Sequence, residues 1–348
     1  MLLVRRVATR HHALGRSLLS TKVVITARPF PQTISRLEEV ADSVAWNNAI
    51  EPWTDDELHR HGANADALLC FMTDSVDRSL LNACPNLRVI ACALKGFDNF
   101  DVDECRRRGV AVTAVPDLLT APTAELAIAL ALGLGRRLRE GDALVRGRLF
   151  RGWRPTLYGN GLAGTSVGIL GYGAVGRAVA MRLTGFETQQ LRYYDVTNAL
   201  GSSDPTTGAS PVSLDELVAS SEVLFVCTPL TPCTRHMIDA TLLSRMKPGC
   251  LLINVSRGSC VSEAAVADAL EAGALGGYAA DVFEFEDWAL AARPEAVEPR
   301  LCSHERTLLT PHLGSAVGNV RLQIELAAAE EIVRHLRGEP LRHRVNRS

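Results

Sequence analysis

The sequence lacks the features that mark several large classes of protein. Its longest apolar stretch, from Ala124 to Gly135, contains Glu125 and falls well short of the roughly 20 residues that cross a bilayer. Lys and Arg total 37 against 39 for Asp and Glu, a formal net charge of −2, so there is no general basic field to hold a nucleic-acid backbone. No segment repeats with a fixed period. We therefore expect neither a membrane nor a nucleic-acid partner.

Paired cysteines are also lacking. The chain has 9 cysteines, but none forms a CxxC pair and no histidine stands at metal-ligand spacing from one. Cys92, Cys227 and Cys250 lie in or beside apolar, strand-like runs. This usage is typical of small buried side chains in a reducing compartment, and it predicts neither disulfides nor a metal site.

The composition that is present is that of an ordinary globular chain. Its 348 residues are 47% hydrophobic and 22% charged, and at about 150 residues per domain the length suggests two domains. Short β-branched runs alternate with helical stretches, which predicts two α/β units with parallel sheets, about 22–120 and 121–311, and a last helix over 320–337. The strand candidates are Lys22–Ala27, Ala67–Met72, Leu87–Leu94, Val110–Val115, Ser166–Leu170, Leu191–Tyr194, Val223–Thr228, Cys250–Val255, Gly277–Val282 and Thr307–Thr310.

A long helix is predicted at the start of the second unit. Pro122 and Thr123 begin it, since proline suits a first helical position, and apolar residues fill most of its faces up to Leu138. A helix that is apolar on every side is buried. We expect this one to run between the two domains or into a subunit interface.

The first twenty residues differ from the rest of the chain. They contain four arginines among leucines and valines, and the first acidic residue of the chain is Glu38. This Arg-rich, acid-free and amphipathic composition is typical of an organelle transit peptide. We predict import into a mitochondrion or plastid, the alternative being a basic tail on a cytoplasmic enzyme. Residues 1–21 are left out of the predicted fold.

A glycine-rich turn follows the predicted strand Ser166–Leu170. The run Gly171-Tyr-Gly-Ala-Val-Gly176 has the spacing that permits a tight turn, close backbone approach to a pyrophosphate and close helix–strand packing. The helix that it begins presents free N–H groups to the phosphates. Asp195 ends the next strand, where an acid accepts hydrogen bonds from a ribose 2′-OH and repels a 2′-phosphate. The turn therefore predicts a bound NAD rather than NADP.

Three polar side chains follow three strands of the second unit. Arg257 follows the run ending at Val255, Glu286 follows the run ending at Val282, and His312 follows the run ending at Thr310. The carboxyl ends of parallel strands form the ligand-binding edge of such a sheet. An arginine holds an anion by a planar fork, a histidine transfers a proton near neutral pH, and a carboxylate orients the histidine. Together they predict hydride transfer to or from a small anion.

The chain resembles the D-2-hydroxyacid dehydrogenase family over nearly all of residues 22–340. Three runs match the signature regions of that family: Asn254-Val-Ser-Arg-Gly-Ser259, Ala280-Asp-Val-Phe-Glu284 and Thr310-Pro-His-Leu-Gly-Ser315. The resemblance implies a homodimer of two-domain subunits, with a Rossmann-like NAD domain at 121–312 inserted into a split, flavodoxin-like substrate domain at 22–120 and 313–348. It also implies that Arg257 binds the anion, that His312 is the acid/base, and that its carboxylate is Glu286 or the nearby Glu284.

The same resemblance extends the cofactor site. Asp281 matches the residue that contacts the nicotinamide amide. The full implied set is Thr123, Gly171, Gly173, Ala174, Val175, Gly176, Asp195, Thr228, Pro229, Leu230, Val255, Ser256, Asp281, His312 and Gly314.

Within the family, several runs resemble the members that oxidise phosphite. The turn Ala93-Leu-Lys95-Gly96-Phe-Asp-Asn99 places a lysine where a small residue is usual, and the runs around Trp153, Trp288 and Arg321 agree. Phosphite is a dianion, and Lys95 with Arg257, one on each domain, would neutralise two charges. The substrate set is then Lys95, Gly96, Met72, Trp153, Tyr158, Ser315 and Arg321, with Met72, Trp153 and Tyr158 as walls.

Two other functions stay open at this point. The nearer alternative is an NAD-dependent D-2-hydroxyacid dehydrogenase of the glyoxylate or hydroxypyruvate reductase type. The other is an NAD-sensing binding protein without catalysis.

Overall fold

The computed structural model describes residues 2–6, 20–197, 202–288, 290 and 292–346. These residues form two compact units. The first unit contains the chain up to Leu119 together with the segment from Val317 onward, and the second unit is Thr120–Ala316. The domain boundaries predicted from the sequence were at 120–121 and 312–313.

Strands and helices alternate along most of the chain. The strands are β1 (Leu2–Arg6), β2 (Lys22–Ile25), β3 (Ser43–Asn47), β4 (Ala67–Cys70), β5 (Val89–Cys92), β6 (Ala111–Thr113), β7 (Ser166–Leu170), β8 (Gln190–Tyr194), β9 (Ser210–Pro211), β10 (Val223–Val226), β11 (Leu251–Asn254), β12 (Gly277–Ala280) and β13 (Thr307–Leu309). The helices are α1 (Pro31–Glu38), α2 (Asp55–Gly62), α3 (Arg78–Ala83), α4 (Val102–Arg107), α5 (Thr120–Gly135), α6 (Leu138–Arg146), α7 (Ala174–Leu183), α8 (Leu214–Ser220), α9 (Ala240–Leu243), α10 (Glu263–Glu271), α11 (Pro299–Ser303) and α12 (Gly318–Leu336).

The sheet of the first unit has the strand order β1-β3-β2-β4-β5-β6. Strands β2 to β6 pair in parallel, whereas β1 pairs antiparallel with β3. The parallel strands are buried along nearly their whole length, which explains why their sequences are continuous apolar runs rather than alternating ones. The last helix, α12, belongs to this unit: Ile324, Ala328 and Ile332 join its core, and Glu325 accepts hydrogen bonds from Phe30 N and Thr33 Oγ1 at the start of α1.

The sheet of the second unit has the order β13-β12-β11-β10-β7-β8-β9, and all neighbouring strands are parallel. The order of the strands reverses between β7 and β10. In open parallel sheets, ligands bind outside the carboxyl ends of the strands at such a switch point. The predicted fold class, two parallel-sheet α/β domains, is therefore confirmed.

The long apolar helix packs in large part within the second unit. Helix α5 contributes Ala127, Leu130 and Leu134 to the core of the second unit, where it packs on the sheet and on α7. Leu126 and Leu132 are only partly buried and Ala129 is exposed, so a place for this helix in a subunit interface stays a prediction. The helix also begins at Thr120 and ends at Gly135, where a new helix, α6, follows after two residues.

Most strand candidates are present with shorter bounds, but some elements were missed. Strand β3 mixes polar and apolar residues without a clear period and was not predicted, and the short β9 was not predicted either. Within residues 1–21, Leu2–Arg6 form β1, while Met1 and residues 7–19 of the predicted transit peptide lie outside the described residues. Among the described residues, no helix is long and apolar enough to cross a membrane.

Candidate active site

The glycine turn connects β7 to α7 at the switch point of the sheet. Gly171 has a φ of +91°, and a Cβ there would lie 2.8 Å from the carbonyl carbon of Cys227. A Cβ on Gly176 would lie 2.1 Å from the oxygen of Gly171, so the helix can approach the strand only with glycine at this position. Gly173, which precedes the first turn of α7, has no atom within 4 Å of its Cβ position. The turn is closed on the protein side and open on the side that a pyrophosphate would occupy.

An acid stands beside this turn as the sequence predicted. Asp195 directly follows β8, and its Oδ2 accepts a hydrogen bond of 2.7 Å from the backbone N of Tyr172. Its Oδ1 accepts one of 2.9 Å from the backbone N of Thr197. Partial burial opposes ionisation, but these bonds hold the pKa of Asp195 below its ordinary value. An ionised carboxylate is therefore available to a ribose hydroxyl.

A further observation supports a cofactor in this place. The hydroxyl of Thr228, just after β10, is buried without a hydrogen-bond partner among the described residues. Buried hydroxyls normally have a partner, so this one indicates a missing ligand group. Pro229 and Leu230 follow it, and Ala174 and Val175 begin α7 on the other side of the switch point. The residues present fit a dinucleotide.

The loop after β11 holds the predicted anion-binding arginine. The Nη1 atom of Arg257 donates a hydrogen bond of 2.9 Å to the carbonyl of Ser256. Asn254 closes the loop, since its Oδ1 accepts from the N and Oγ of Ser256 and its Nδ2 donates to the carbonyl of Arg257. Val255 and Ser256 are buried, whereas Arg257 is partly exposed. Hydrogen bonds thus hold the backbone of the loop, and the side chain of Arg257 is partly exposed.

The predicted acid/base pair is in contact. The Nδ1 atom of His312 lies 3.0 Å from Oε2 of Glu286, and Oε1 of Glu286 accepts a hydrogen bond of 2.8 Å from the backbone N of Phe283. The opposite ring nitrogen of His312, Nε2, therefore points away from the carboxylate. This geometry fixes the ring and leaves one nitrogen for proton transfer.

The alternative carboxylate, Glu284, has another partner. Its Oε2 lies 2.7 Å from Nε2 of His236, and its Oε1 accepts a hydrogen bond of 2.8 Å from the backbone N of Glu263. Of the two acids, Glu286 is therefore the one that orients His312.

Asp281 holds the backbone that carries the histidine. Its Oδ1 accepts hydrogen bonds from Thr310 Oγ1 at 2.6 Å and Leu313 N at 2.7 Å, and its Oδ2 accepts one from Gly314 N at 2.8 Å. Burial raises the pKa of Asp281 despite these donors. His312 has a φ of +54°, a left-handed conformation that these bonds maintain. The implied contact of Asp281 with a nicotinamide amide stays a prediction.

Other predicted residues lie around this segment. A Cβ on Gly314 would lie 3.2 Å from both Asp281 Oδ2 and Thr123 Oγ1, which places the start of α5 against the 310–314 segment. Ser315 follows it and is partly exposed.

The substrate residues predicted in the first unit lie at the carboxyl end of its sheet. Met72 follows β4 and Lys95 with Gly96 follows β5; the two turns are joined by Asn99, whose Nδ2 donates a 3.0 Å hydrogen bond to the carbonyl of Met72. Lys95 is an exposed side chain that forms an ion pair with Asp117.

Arg321, in the first turns of α12, approaches the same edge of the first sheet. Its guanidinium lies 5.8 Å from the ring centre of Phe71, which also follows β4, and burial lowers its pKa. The structure thus brings Met72, Lys95, Gly96 and Arg321 to one edge.

The two predicted aromatic walls are exposed. Trp153 is 78% exposed and Tyr158 is 73% exposed, in a segment without helix or strand that follows α6. In a single chain they therefore do not shield a substrate from water, because most of each side chain is exposed. The sequence around Trp153 and Tyr158 predicted both as walls of the substrate site, but it did not predict that their side chains are exposed in a single chain.

Two features of the site were not found from the sequence as site residues. Tyr172, inside the glycine turn, is buried, stacks on Tyr193 with ring centres 3.8 Å apart, and donates to Asp204 at 2.8 Å. Asp287, next to Glu286, is 2% exposed and accepts a hydrogen bond from Ser259 N. The signals in the sequence were an aromatic residue between two glycines and a second acid beside Glu286.

Comparison with known proteins agrees with this geometry. The family model described as the D-isomer specific 2-hydroxyacid dehydrogenase, NAD binding domain, matches residues 128–314. The chain is 35% identical to a glyoxylate reductase of Thermofilum pendens, over 91% of this chain and 92% of that protein. It is 36% identical to a glyoxylate reductase of Thermococcus litoralis, over 86% of this chain and 90% of that protein. A crystal structure of a Thermus thermophilus protein superposes with a TM-score of 0.84 at 31% identity, covering 93% of this chain and 100% of that chain.

The fold and the glycine turn define an NAD-binding α/β protein with a two-unit architecture. The chain belongs to the D-isomer specific 2-hydroxyacid dehydrogenase family. The predicted family and the predicted NAD cofactor are thus confirmed. The finer resemblance, to members that oxidise phosphite, gains no support from these relatives, both of which are named as glyoxylate reductases.

Proposed function

We propose that this protein is an NAD-dependent D-2-hydroxyacid dehydrogenase of the glyoxylate or hydroxypyruvate reductase type. The observation that carries the proposal is the contact between His312 Nδ1 and Glu286 Oε2, in the same unit as Arg257 and the glycine turn. An acid/base, an anion-binding group and a dinucleotide turn are the parts that such a reaction needs. The names of the similar proteins support the same substrate class.

Three side chains, Arg257, His312 and Glu286, have separate roles in the proposed reaction. When bound, NADH supplies the hydride that reduces the 2-oxo carbon. Arg257 holds the substrate carboxylate by a two-pronged hydrogen bond. Protonated His312 donates the Nε2 proton to the oxygen of the former carbonyl, and Glu286 stabilises the imidazolium before that transfer. In the reverse direction, neutral His312 accepts the proton from the 2-hydroxyl.

The test is a direct assay of the purified protein. NADH absorbance is followed after addition of glyoxylate, hydroxypyruvate or pyruvate, and NAD reduction is followed with the matching 2-hydroxy acids. We expect consumption of NADH with at least one small 2-oxo acid. No turnover with any of these acids, in protein that binds NADH, overturns this assignment.

A second candidate is the oxidation of phosphite to phosphate. Lys95 favours it, because one of the three lysines of the chain lies in the turn after β5, at the carboxyl end of the first sheet. Arg321 adds another cation at the same edge. A phosphite dianion requires more positive charge than a monocarboxylate does. In this reaction the P–H bond breaks, the hydride reduces NAD, and water attacks phosphorus as His312 removes its proton.

Lysine substitutions separate the two candidates. Phosphite with NAD gives NADH only if the second candidate is right, and Lys95→Ala should then raise the KM for phosphite by about tenfold or more. Lys247→Ala is the matched control, since Lys247 pairs with Glu222 at the opposite end of the strands of the second unit. An unchanged KM in Lys95→Ala removes Lys95 from the site, and no NADH with phosphite rejects the candidate.

We also propose that two copies of the chain associate through the α6 surface. We define this surface by the exposed apolar side chains of Leu138, Val145, Leu149, Phe150, Trp153 and Tyr158, which are 53–78% exposed. No residue of α6 is buried, and contiguous exposed apolar side chains mark association surfaces. A second copy seated there would cover Trp153 and Tyr158.

The mass of the protein in solution tests this association. Light scattering should give a dimer for the wild type and a monomer for Leu149→Glu. Ile50→Glu is the control, because Ile50 is 88% exposed but lies in the first unit, away from α6 in the chain. A monomeric wild type contradicts the proposal.

The N-terminal segment is proposed to direct import into a mitochondrion or plastid. Its four arginines and lack of acids support this. Residues 1–21 fused to a fluorescent protein should locate it to the organelle, and replacement of Arg5, Arg6, Arg10 and Arg16 by glutamate should abolish that location. Diffuse fluorescence of the unaltered fusion rejects the proposal.

A further inference from the structure

We propose that Asp287 is a positioning residue for Arg257. Its buried carboxylate ties the arginine loop to the turn that carries Glu286, and it thereby sets the distance between the anion-binding group and the acid/base pair. This inference rests on the proposed function of the site, because it assigns Asp287 a role in that reaction.

The carboxylate of Asp287 accepts a hydrogen bond from the arginine loop, which is the segment after β11 that contains Arg257. Only 2% of the residue is exposed, and its Oδ2 accepts a hydrogen bond of 2.6 Å from the backbone N of Ser259. Ser259 lies two residues after Arg257, in the short 3₁₀ turn Gly258–Cys260. A short hydrogen bond to a buried acceptor is costly to lose, so this bond restrains the loop.

The two loops also pack backbone against backbone. A Cβ on Gly258 would lie 1.8 Å from the carbonyl carbon of Phe283, so no side chain separates the arginine loop from the turn Glu284–Glu286. The other side of the same peptide segment is held as well, since the carbonyl of Ser259 accepts a hydrogen bond of 2.6 Å from the N of His236. Loss of Asp287 would therefore release one restraint and leave the loop folded.

The position of Asp287 in the chain links it to the proton-transfer pair. It directly follows Glu286, whose Oε2 contacts His312 Nδ1 at 3.0 Å. The same turn therefore places Glu286 in contact with His312 and Asp287 in contact with the arginine loop. A movement of this turn changes both groups together, and small displacements of positioned groups reduce rates strongly.

Substitutions of Asp287 test the role. Asp287→Ala should raise the KM for the 2-oxo acid by about 10- to 100-fold, because the buried N–H of Ser259 loses its acceptor. Asp287→Asn keeps an acceptor for Ser259 N and should recover most of that loss. The Kd of NADH should stay within about twofold of wild type in both, since only the substrate side is disturbed. Glu222→Gln is the control, because Glu222 also accepts a backbone hydrogen bond, from Ser166 N, at the opposite end of the strands.

A double-mutant cycle distinguishes positioning from general stability. In an Arg257→Lys background, Asp287→Ala should cost less than about threefold, because the group that it positions is already altered. Additive effects, or no rise in KM for Asp287→Ala, overturn the inference.

A binding measurement keeps this inference separate from the proposed function. Calorimetric titration with oxalate, in the presence of NADH, should show weaker binding to Asp287→Ala than to wild type. Wild type that binds oxalate but reduces no 2-oxo acid contradicts the proposed function alone. Equal oxalate affinity of the two proteins contradicts the role of Asp287.

Discussion

The Nδ1 atom of His312 lies 3.0 Å from Oε2 of Glu286, whereas Glu284, two residues earlier, contacts His236 at 2.7 Å. Two carboxylates of one short turn therefore serve two different histidines. The 3₁₀ turn Glu284–Glu286 places the two acids on different sides, and this separates the acid/base pair from a second pair in the same unit. From the sequence spacing alone, either Glu284 or Glu286 could be the carboxylate that orients His312.

This separation predicts unequal effects of two matched substitutions. Glu286→Gln removes the charge that stabilises the His312 imidazolium, and we expect kcat/KM to fall by about 10²-fold or more. Glu284→Gln, two residues away, should stay within about threefold of wild type. Steady-state kinetics of both variants with the same 2-oxo acid measure this. A larger loss in Glu284→Gln than in Glu286→Gln would reverse the assignment.

The glycine turn predicts a second contrast. Gly173→Ala places a Cβ where no protein atom lies within 4 Å, so the melting temperature should change little, whereas the Kd of NAD should rise by about tenfold because the methyl group would meet the pyrophosphate. Gly176→Ala places its Cβ 2.1 Å from Gly171 O and should strongly destabilise the second unit. Thermal unfolding and NAD titration of both variants test this. Unchanged NAD affinity in stably folded Gly173→Ala would contradict the cofactor placement.

Asp195 predicts the preference between the two nicotinamide cofactors. An ionised carboxylate at this position would accept a hydrogen bond from a ribose hydroxyl and repel a 2′-phosphate. Asp195→Ala should therefore lower kcat/KM for NAD and raise it for NADP, so that their ratio falls by about tenfold or more. Asp215→Asn, an exposed acid of α8, serves as the control. A ratio that does not change in Asp195→Ala would remove Asp195 from the ribose site.

The buried carboxyl group of Asp74 should make the free energy of unfolding depend on pH. Burial raises its pKa to about 6, although Thr26 Oγ1 and Phe71 N both donate to its Oδ2. Unfolded aspartate titrates near pH 3.9, so the folded state binds an extra proton in the window from about pH 4 to pH 6. The stability that Asp74 contributes is present below this window and is lost as the pH rises through 6.

Asp74→Asn reveals this contribution because its side chain keeps an acceptor oxygen and does not ionise. Near pH 7.5 the variant should be more stable than wild type by at most about 3 kcal/mol, and near pH 4 the gain should vanish. Urea unfolding at several pH values measures it, with the exposed Asp56→Asn as control. A difference that is independent of pH would contradict the raised pKa.

Much of the architecture could be predicted from local sequence. Parallel strands such as β4, β5 and β10 are buried on both faces, so they appear as continuous apolar runs between turn residues. The GxGxxG spacing placed the switch point because only glycine fits where Gly176 approaches Gly171. Strand β3 was missed because its residues, Ser43 to Asn47, mix polar and apolar side chains without a clear period.

The parts that could not be predicted depend on contacts between distant residues. The choice of Glu286 over Glu284 depends on the path of a single 3₁₀ turn. The burial of α5 depends on α7 and the sheet, so its apolar faces gave no information about their partner. The exposure of Trp153 and Tyr158 likewise depends on what packs against them, which residue type does not specify.

His312, oriented by Glu286, is proposed to transfer the proton in an NAD-linked reduction of a small 2-oxo acid held by Arg257. NADH oxidation with glyoxylate, in wild type and in His312→Gln, measures this role, together with the Kd of NADH for both proteins. We predict turnover by the wild type, a loss of kcat by at least about 10²-fold in the variant, and a Kd of NADH that changes by less than about threefold. Equal turnover by the two proteins would show that His312 does not transfer the proton.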